Sequence, residues 1–324
     1  MANKVYITRR IPPVGIDLFR EKGVEIDFWD SDEAIPHQEL VKNVKGKGYA
    51  GLLCLLTDQV DAEVFEAAGP SLKVVSTLSV GYEHIDLKAC KARNIIACNL
   101  SKISTDCVSE FAVTLALAVS RRIEEGIAAV RNGSWGLWKP MWILGSSFAN
   151  RTIGVLGMGR IGYGVARRMK AFCISRLIYH DIKESSFAQE LGAEFVDLET
   201  LLKDSDVICI CCNLTPATHY LFNKENFKKM KNTAILINTS RGGVINHDDL
   251  YDALKNHEIG AAGLDVTEPE PLPKEHRLNS LPNCVVTLHM GSNTWEARNN
   301  MSYNAALNID SVFENQTPMG KIEN

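Results

Sequence analysis

The sequence predicts an α/β protein with two doubly wound parallel-sheet domains, one in each half of the chain. Short β-rich apolar runs alternate with segments of helical spacing along most of the sequence. Strands that are apolar on both faces and separated by helices are typical of parallel sheets covered on both sides. The length of 324 residues also favours two domains, each long enough to bury its own core.

The predicted strands fall into two groups, one before and one after a long helical segment. The first group comprises Lys4–Thr8, Val24–Trp29, Gly51–Leu56, Lys73–Leu78 and Ile95–Cys98. The second group comprises Thr152–Leu156, Arg176–Tyr179, Val207–Cys212, Ala234–Thr239, Ala261–Val266 and Cys284–Leu288. Because each group alternates with helices, we expect a first domain over residues 1–101 and a second over residues 102–293.

Two long helices are predicted outside these groups. One runs from about Thr105 to Asn132, with Ser104 or Thr105 as its cap and Asn132-Gly133 as its stop. Its middle is apolar on nearly all sides, which indicates burial, often between domains or subunits. The other occupies about Thr294–Glu314, and we expect residues 294–324 to return to the first domain and complete it.

Composition and charge point away from nucleic acid and membrane partners. The net charge is −4 and the isoelectric point is about 6.1, with no long basic run. No apolar stretch approaches the length that spans a bilayer, and the N-terminus lacks the apolar region of a signal peptide. The nine cysteines include no zinc-type pair, so we expect reduced thiols, no metal site and a cytoplasmic protein.

The segment Thr152–Gly162 combines a β-branched strand, a glycine turn and the start of a helix. We expect Gly157 to allow the tight turn, Gly159 to let a pyrophosphate approach the backbone, and Gly162 to let the helix pack closely on the strand. The helix N-terminus offers N–H groups and partial positive charge to the phosphates. The alternative is a glycine turn that binds nothing, but its context favours a dinucleotide site.

Asp181 follows the glycine turn by about twenty positions, at the end of the next predicted strand. Its carboxylate is suited to accept hydrogen bonds from ribose hydroxyls and would repel a 2′-phosphate. The sequence therefore predicts NAD(H) as the preferred cofactor, with NADP(H) as the alternative, since Lys183 and Arg160 lie nearby. Because the turn begins the second half, we expect the substrate in a cleft between the two domains.

Three polar residues follow strands of the second half, where the carboxyl ends of parallel strands share one edge. They are Arg241, Glu270 and His289. A guanidinium binds a carboxylate in a planar, bidentate manner, and histidine is the side chain whose pKa suits proton donation near neutrality. A neighbouring carboxylate stabilises the charged imidazole. This set predicts hydride transfer between a nicotinamide dinucleotide and a small 2-oxo acid.

Each of these residues also has a structural interpretation. His289 is in a position where a histidine commonly forms only a structural hydrogen bond, Arg241 precedes two glycines that suit a simple turn, and Glu270 lies in a proline-rich loop where solvation is common. Their joint occurrence behind a dinucleotide turn favours the catalytic interpretation over three separate coincidences.

The chain resembles the D-isomer-specific 2-hydroxyacid dehydrogenases along essentially its whole length. The matching motifs are Gly157–Gly162, Asn238–Gly242, Gly263–Val266 and His289–Ser292. A closer match, to members of that family that reduce glyoxylate and hydroxypyruvate, is carried by Leu52–Leu56, Leu78–Gly81, Trp138–Trp142 and Asp265–Pro273. The resemblance implies a flavodoxin-like substrate domain and a Rossmann NAD-binding domain, and typically a homodimer joined through the cofactor domains.

The resemblance also implies a role for each matching residue. Arg241 would bind the substrate carboxylate and carbonyl, and Glu270, rather than Glu268, would assist His289 as proton donor. The implied substrate-binding residues are Leu56, the backbone of Val80 and Gly81, Trp138 at the dimer interface, and Ser292. The implied cofactor-binding residues are Gly157, Gly159, Arg160, Ile161, Gly162, Asp181, Asn213, Thr239, Asp265 and Gly291.

Some positions depart from the family pattern. Leu288 stands where a proline usually precedes the catalytic histidine, and Trp295 stands where threonine is common. Related members that use NADPH lack an acid at the position of Asp181, so the cofactor preference need not follow theirs. Two other functions stay open: another member of the family, such as a phosphoglycerate dehydrogenase, and a corepressor-like scaffold that senses NAD(H) without turnover.

Overall fold

A computed structural model describes residues 3–100 and 103–323 of the chain. These residues form two compact units, one comprising the described part of Met1–Ser104 and Asn293–Asn324, the other comprising Thr105–Ser292. None of the helices described in these ranges is long and apolar enough to cross a membrane.

The described part of the first unit contains five strands and five helices. The strands are β1 (Lys4–Ile7), β2 (Glu25–Phe28), β3 (Gly51–Cys54), β4 (Val74–Thr77) and β5 (Ile96–Cys98). The helices are α1 (Pro13–Glu21), α2 (His37–Val44), α3 (Ala62–Ala68), α4 (Leu87–Ala92) and, at the end of the chain, α12 (Trp295–Phe313).

The second unit contains seven strands and seven α-helices. The strands are β6 (Thr152–Leu156), β7 (Arg176–His180), β8 (Glu194–Phe195), β9 (Val207–Ile210), β10 (Ile235–Asn238), β11 (Ala261–Leu264) and β12 (Cys284–Val286). The helices are α5 (Thr105–Ser120), α6 (Ile123–Arg131), α7 (Arg160–Met169), α8 (Ser186–Leu191), α9 (Leu198–Asp204), α10 (Lys224–Phe227) and α11 (His247–Lys255). Three short 3₁₀ helices occupy Lys170–Phe172, Gly242–Val244 and Arg277–Ser280.

The sheet of the first unit is wholly parallel, in the order β2-β1-β3-β4-β5. This is the flavodoxin-like order, in which β1 and β3 flank the point where the winding reverses. Helix α12 packs on α1 of the same unit, where the Ser302 hydroxyl donates to the Pro12 carbonyl at 2.6 Å and accepts from the Gly15 N–H at 3.2 Å. The C-terminal helix therefore completes the layer that covers this sheet.

The sheet of the second unit is also parallel, in the order β12-β11-β10-β9-β6-β7-β8. Counted from β6, the order is that of a Rossmann fold with one more strand at its far edge. The predicted α/β fold class with two doubly wound sheets is thus confirmed. Strand β8 was not predicted, because Glu194–Phe195 is only two residues long and exposed, and so carries no apolar run.

The prediction of one continuous helix from Thr105 to Asn132 is wrong, because the helix breaks after Ser120. Arg122 adopts a left-handed conformation with φ of +52°. Its guanidinium binds both carboxylate oxygens of Glu125, in the first turn of α6, at 2.6 Å. The segments before and after Arg122 both have apolar residues at helical spacing, so the periodicity did not reveal the break. Helix α6 does end at the predicted stop, with Gly133 at φ of +74°.

The apolar helix α5 is buried by its own unit. Its Leu115 and Val119 side chains approach Gly263 of β11 so closely that a Cβ atom there would lie 2.9 Å from each. None of the nine cysteines forms a disulfide bond. Within residues 3–100 and 103–323, no group of three or more histidine, cysteine or acidic side chains is placed to hold a metal ion.

Candidate active site

The glycine turn joins β6 to α7 as the sequence predicts. Gly157 has φ of +92°, and a Cβ atom there would lie 2.6 Å from the Cys212 backbone nitrogen. At Gly162 a Cβ atom would lie 2.1 Å from the Gly157 carbonyl oxygen, so only glycine lets α7 approach the turn. At Gly159, by contrast, no atom of the described residues beyond its immediate neighbours lies within 4 Å of that position. The turn therefore presents open backbone at the N-terminus of α7, which fits a pyrophosphate.

Asp181 and Ser185 hold this turn from the loop that follows β7. The Met158 N–H donates to Asp181 Oδ2 at 2.8 Å, and the Ser185 hydroxyl donates to the Met158 carbonyl at 2.6 Å. Asp181 Oδ1 accepts the N–H of Ile182 at 2.7 Å. Both backbone groups of Met158 are thus satisfied by side chains from one neighbouring loop. The sequence spacing did not reveal that Asp181 also binds the backbone of the glycine turn.

The remaining predicted cofactor residues of the second unit lie along the same edge of its sheet. Arg160 and Ile161 are the first residues of α7. Asn213 is exposed after β9, and Thr239 directly follows β10. Because β6, β9 and β10 run parallel, these residues share the carboxyl edge where ligands bind in such folds.

Arg241 stands in a loop fixed by the buried Asn238 at the end of β10. The Asn238 amide donates to the Arg241 carbonyl at 2.9 Å, and its Oδ1 accepts the N–H and hydroxyl of Ser240, both at 3.0 Å. Arg241 Nη1 donates to the Ser240 carbonyl at 2.7 Å. The backbone around the guanidinium is therefore held by one amide side chain.

His289 and Glu270 form a hydrogen-bonded pair. His289 Nδ1 lies 2.5 Å from Glu270 Oε1, and the two side chains are about one-third exposed, at 29% and 36%. Glu268 does not share this contact; its Oε2 lies 3.9 Å from His219 Nε2 instead. Of the two glutamates in the proline-rich loop, the geometry brings Glu270 to the candidate proton donor.

The surroundings lower the pKa of Glu270 below its ordinary value. Partial burial opposes ionisation, but the hydrogen bond and charge of His289 outweigh it, together with the Thr267 N–H and the charge of Arg241. The carboxylate is therefore ionised at neutral pH. Since Arg241 contributes to this shift, the three candidate catalytic side chains share one electrostatic environment.

The His289 loop is held by Asp265 at the end of β11. His289 has φ of +59°, and its N–H donates to the Asp265 carbonyl at 2.9 Å. The Asp265 carboxylate accepts the Thr287 hydroxyl at 2.6 Å and the N–H groups of Met290 and Gly291 at 2.7 and 2.8 Å. Asp265 is only 2% exposed, so its side chain lies beneath the loop that it shapes. The motif that drew attention to Asp265 gave no indication of this contact.

In the first unit, the loop after β4 has its carbonyl groups turned toward the protein. The Ser79 carbonyl accepts the Leu100 N–H at 2.9 Å, the Val80 carbonyl accepts the Asn99 amide at 2.7 Å, and the Gly81 carbonyl accepts the Ser79 hydroxyl at 2.6 Å. Across the described ranges, the N–H groups of Val80 and Gly81 have no acceptor within the chain. The loop therefore presents free donors, which suits an anion.

Leu56 lies in the loop after β3 of the same unit and is 40% exposed. Its turn is fixed by Asp58, whose Oδ2 accepts the Leu55 N–H at 2.7 Å and the Thr8 hydroxyl at 2.5 Å. Burial raises the pKa of Asp58, although these donors and Arg9 favour its charged form. The exposed leucine is thus carried by a well-supported turn.

The second unit displays a large apolar surface on α6 and the loop after it. Ile123, Ile127 and Val130 share one helix face and are 45–59% exposed, while Leu137 and Trp138 are 90% and 84% exposed. The alternative in which Trp138 is buried within its own subunit is therefore wrong. Contiguous exposed apolar surface of this kind marks an interaction site.

The remaining predicted or atypical positions lie near chain turns. Ser292 is partly buried directly after Gly291, and Leu288 is 78% exposed beside His289. Trp295 is 82% exposed at the first position of α12, where Thr294 caps the helix by accepting the Ala297 N–H. Neither departure from the family pattern removes a polar contact from the His289–Glu270 pair.

Known proteins resemble this chain over nearly its full length. The family profile described as D-isomer specific 2-hydroxyacid dehydrogenase, NAD binding domain, matches residues 113–291. A glyoxylate reductase/hydroxypyruvate reductase of Homo sapiens is 48% identical, over 94% of this chain and 93% of its own. A glyoxylate reductase of Thermofilum pendens is 42% identical, over 97% and 93%. A crystal structure of a Thermus thermophilus protein has a TM-score of 0.93 at 39% identity, over 99% of this chain and 100% of that one.

The fold, the glycine turn and these relationships define an NAD-binding oxidoreductase. More specifically, the chain belongs to the family of D-isomer specific 2-hydroxyacid dehydrogenases. The family membership expected from the sequence motifs is confirmed.

Proposed function

We propose that the protein reduces a small 2-oxo acid, glyoxylate or hydroxypyruvate, to the D-2-hydroxy acid, glycolate or D-glycerate, with NADH preferred as cofactor. The observation that carries this proposal is the His289–Glu270 pair, at the same sheet edge as the glycine turn and Arg241. The names of the relatives from Homo sapiens and Thermofilum pendens support the choice of substrates.

Bound at the glycine turn, the dinucleotide supplies the hydride. Gly157, Gly159 and Gly162 leave room for its pyrophosphate at the N-terminus of α7. Asp181 uses one lone pair of each carboxylate oxygen on a backbone N–H, which leaves a second lone pair on each for ribose hydroxyls. A 2′-phosphate would face the same negative charge, and this supports a preference for NADH.

His289 holds the proton that the forming alkoxide needs. Glu270 is ionised and accepts from Nδ1, so Nδ1 carries a hydrogen and Nε2 is the atom left to donate. Transfer of the Nε2 proton leaves a neutral imidazole that is still held by Glu270. Asp265 keeps the loop in its left-handed turn, so the ring is oriented before substrate binds.

Arg241 binds the substrate carboxylate and polarises its carbonyl, because a guanidinium offers paired donors in one plane. The free N–H groups of Val80 and Gly81 bind the carboxylate from the first unit, and Leu56 and Ser292 limit the size of the oxo acid. The first unit accordingly acts as the substrate-binding domain and the second as the dinucleotide-binding domain.

The exposed apolar surface of α6 and the Trp135–Trp142 loop binds a second copy of the chain, so that the protein is a homodimer. Seven large hydrophobic side chains there are 45–90% exposed in the single chain, which is far more than scattered surface residues explain. Trp138, at the tip of this surface, then contributes to the substrate pocket of the partner.

The decisive experiment follows NADH absorbance on addition of glyoxylate, hydroxypyruvate and 3-phosphohydroxypyruvate, with NADPH assayed in parallel. Consumption of NADH with either of the first two supports the proposal. Selective turnover of the phosphorylated acid would indicate a phosphoglycerate dehydrogenase. Binding of NADH without turnover of any oxo acid would indicate the scaffold function and overturn the proposal.

A further inference from the structure

A chain of polar side chains lies beneath the Val80–Gly81 loop of the first unit. His84 Nε2 lies 2.9 Å from Thr77 Oγ1, Thr77 Oγ1 lies 2.8 Å from Ser79 Oγ, and Ser79 Oγ lies 2.6 Å from the Gly81 carbonyl oxygen. Thr77 and Ser79 are buried, at 0% and 5% exposure. Ser79 lies within the matching segment Leu78–Gly81, but the sequence motifs assigned no role to any of these three side chains.

The hydrogens available on each group fix the direction of all three hydrogen bonds. The Gly81 carbonyl only accepts, so the single hydroxyl hydrogen of Ser79 is used there. Ser79 Oγ must then accept from Thr77, which uses the hydrogen of Thr77 in turn. Thr77 Oγ1 therefore accepts from His84, and Nε2 of His84 carries a hydrogen.

The buried Cys54 thiol lies beside both His84 and Thr77. Its Sγ is 3.8 Å from His84 Nε2 and also contacts the Thr77 hydroxyl, and burial raises the pKa of Cys54 well above its ordinary value. The thiol therefore stays uncharged and is only a weak hydrogen-bond partner for either side chain. The Thr77 and Ser79 hydroxyls link His84 to the loop.

This series of hydrogen bonds ends at the Gly81 carbonyl, directly after the two loop donors. Held inward by Ser79, the carbonyl fixes the Gly81–Tyr82 peptide and so restrains the backbone of Gly81 on one side of its N–H. Release of that carbonyl would let this peptide turn, and the loop that presents the Val80 and Gly81 N–H groups would be less preorganised.

We infer that His84, Thr77 and Ser79 form a directional hydrogen-bond relay that positions the Val80–Gly81 loop for the carboxylate of the 2-oxo acid. The three are positioning residues, since none of them touches the reacting atoms. The inference rests on the proposed function, because it assigns this loop to the substrate carboxylate.

The test compares Thr77→Val, which keeps the shape of the side chain but removes the hydroxyl, with wild type. We expect KM for glyoxylate to rise roughly three- to tenfold, the effect of one lost hydrogen bond. The kcat at saturation and the Kd of NADH, measured by fluorescence titration, should stay within about twofold. Thr77→Ser restores the hydroxyl and should restore KM. Ser79→Ala breaks the relay one step later and should raise KM to a similar extent. It provides the test if Thr77→Val folds poorly.

Ser76→Ala is the matched control. Ser76 precedes Thr77 on the same strand and faces the opposite side of the sheet, and in the described part of the chain its buried hydroxyl has no partner. Loss of that hydroxyl should leave KM unchanged. An unchanged KM in both Thr77→Val and Ser79→Ala, with an active wild type, would overturn the relay. A wild type that turns over no oxo acid would instead overturn the proposed function.

Discussion

Nδ1 of His289 and Oε1 of Glu270 lie 2.5 Å apart, and this pair leaves the other ring nitrogen of His289 facing away from its carboxylate. Replacing His289 with Ala removes that donor and should lower kcat by roughly two to four orders of magnitude. The Kd of NADH, measured by fluorescence, should be almost unchanged because the glycine turn is untouched. Turnover near that of wild type would contradict the assignment of His289.

Glu270→Gln should slow reduction. An amide stabilises a charged imidazole less than a carboxylate does, so kcat should fall. Glu268→Gln is the matched control, since its side chain contacts His219 rather than His289. Equal kcat values for the two variants would show that the choice of Glu270 is wrong.

The Glu270 carboxylate should also stabilise the folded protein at neutral pH and lose this contribution in acid. The pKa of Glu270 is lowered in the folded state, so its stabilising contribution is complete above the ordinary carboxyl value and is lost as pH falls through the lower folded value. The difference in Tm between wild type and Glu270→Gln should therefore be larger at pH 7 than at about pH 3. Calorimetry across this range gives the answer, and a difference that grows with acidity would have the wrong sign.

Arg241→Lys should impair both substrate binding and turnover. A lysine keeps the charge but makes a point contact in place of the paired one, so KM for the oxo acid should rise and kcat should fall, each about tenfold or more. Arg20→Lys, at a surface arginine that pairs with Asp17, controls for the substitution itself. Full activity of Arg241→Lys would refute bidentate binding.

The apolar surface of the second unit should be buried in a dimer interface. We expect sedimentation velocity to give twice the mass of one chain, and Val130→Glu should shift the protein toward monomer, because a buried unpaired charge is costly. Met319→Glu places the same charge at a residue of the first unit that is 65% exposed, and it should leave the dimer intact. Trp138→Ala should alter selectivity among oxo acids more than NADH affinity. A fully active monomer would contradict the proposed role of this surface.

Cofactor choice should depend on the charge of Asp181. The repulsion of a 2′-phosphate predicts roughly ten- to a thousand-fold higher kcat/KM with NADH than with NADPH. Asp181→Asn retains an acceptor for the Met158 N–H and removes the charge, so it should lower this ratio without loosening the turn. Ser185→Ala loosens the turn without changing charge and should weaken both cofactors equally. A wild type that already prefers NADPH would refute the argument.

Periodicity and strand-end chemistry were sufficient to predict the fold class and to choose the polar residues along the sheet edge. The fold class follows from local sequence pattern. The choice of polar residues follows from the rule that the carboxyl ends of parallel strands share one edge of the sheet. The break at Arg122 was missed because a single left-handed residue leaves helical spacing on either side intact.

The supporting contacts were missed for a different reason. Asp265 beneath the His289 loop, Asp58 beneath Leu56 and the relay from His84 to Gly81 each join donors and acceptors whose pairing is decided by tertiary proximity. Residue type shows that a carboxylate or hydroxyl needs a partner, but sequence spacing does not say which one. The candidate site residues were therefore easier to select from the sequence than the contacts that hold their loops in place.

The attachment of Met158 to both Asp181 and Ser185 constrains how this protein can be re-engineered or can evolve toward a different coenzyme. Asp181, the acid proposed to discriminate against the 2′-phosphate, also anchors the glycine turn through the Met158 N–H. Exchange of Asp181 for a residue without a side-chain acceptor, such as alanine or arginine, would therefore weaken every dinucleotide before it improved NADPH. Such an exchange needs a second substitution that first supplies another acceptor for the Met158 N–H, whereas asparagine removes the charge and keeps the anchor in one step.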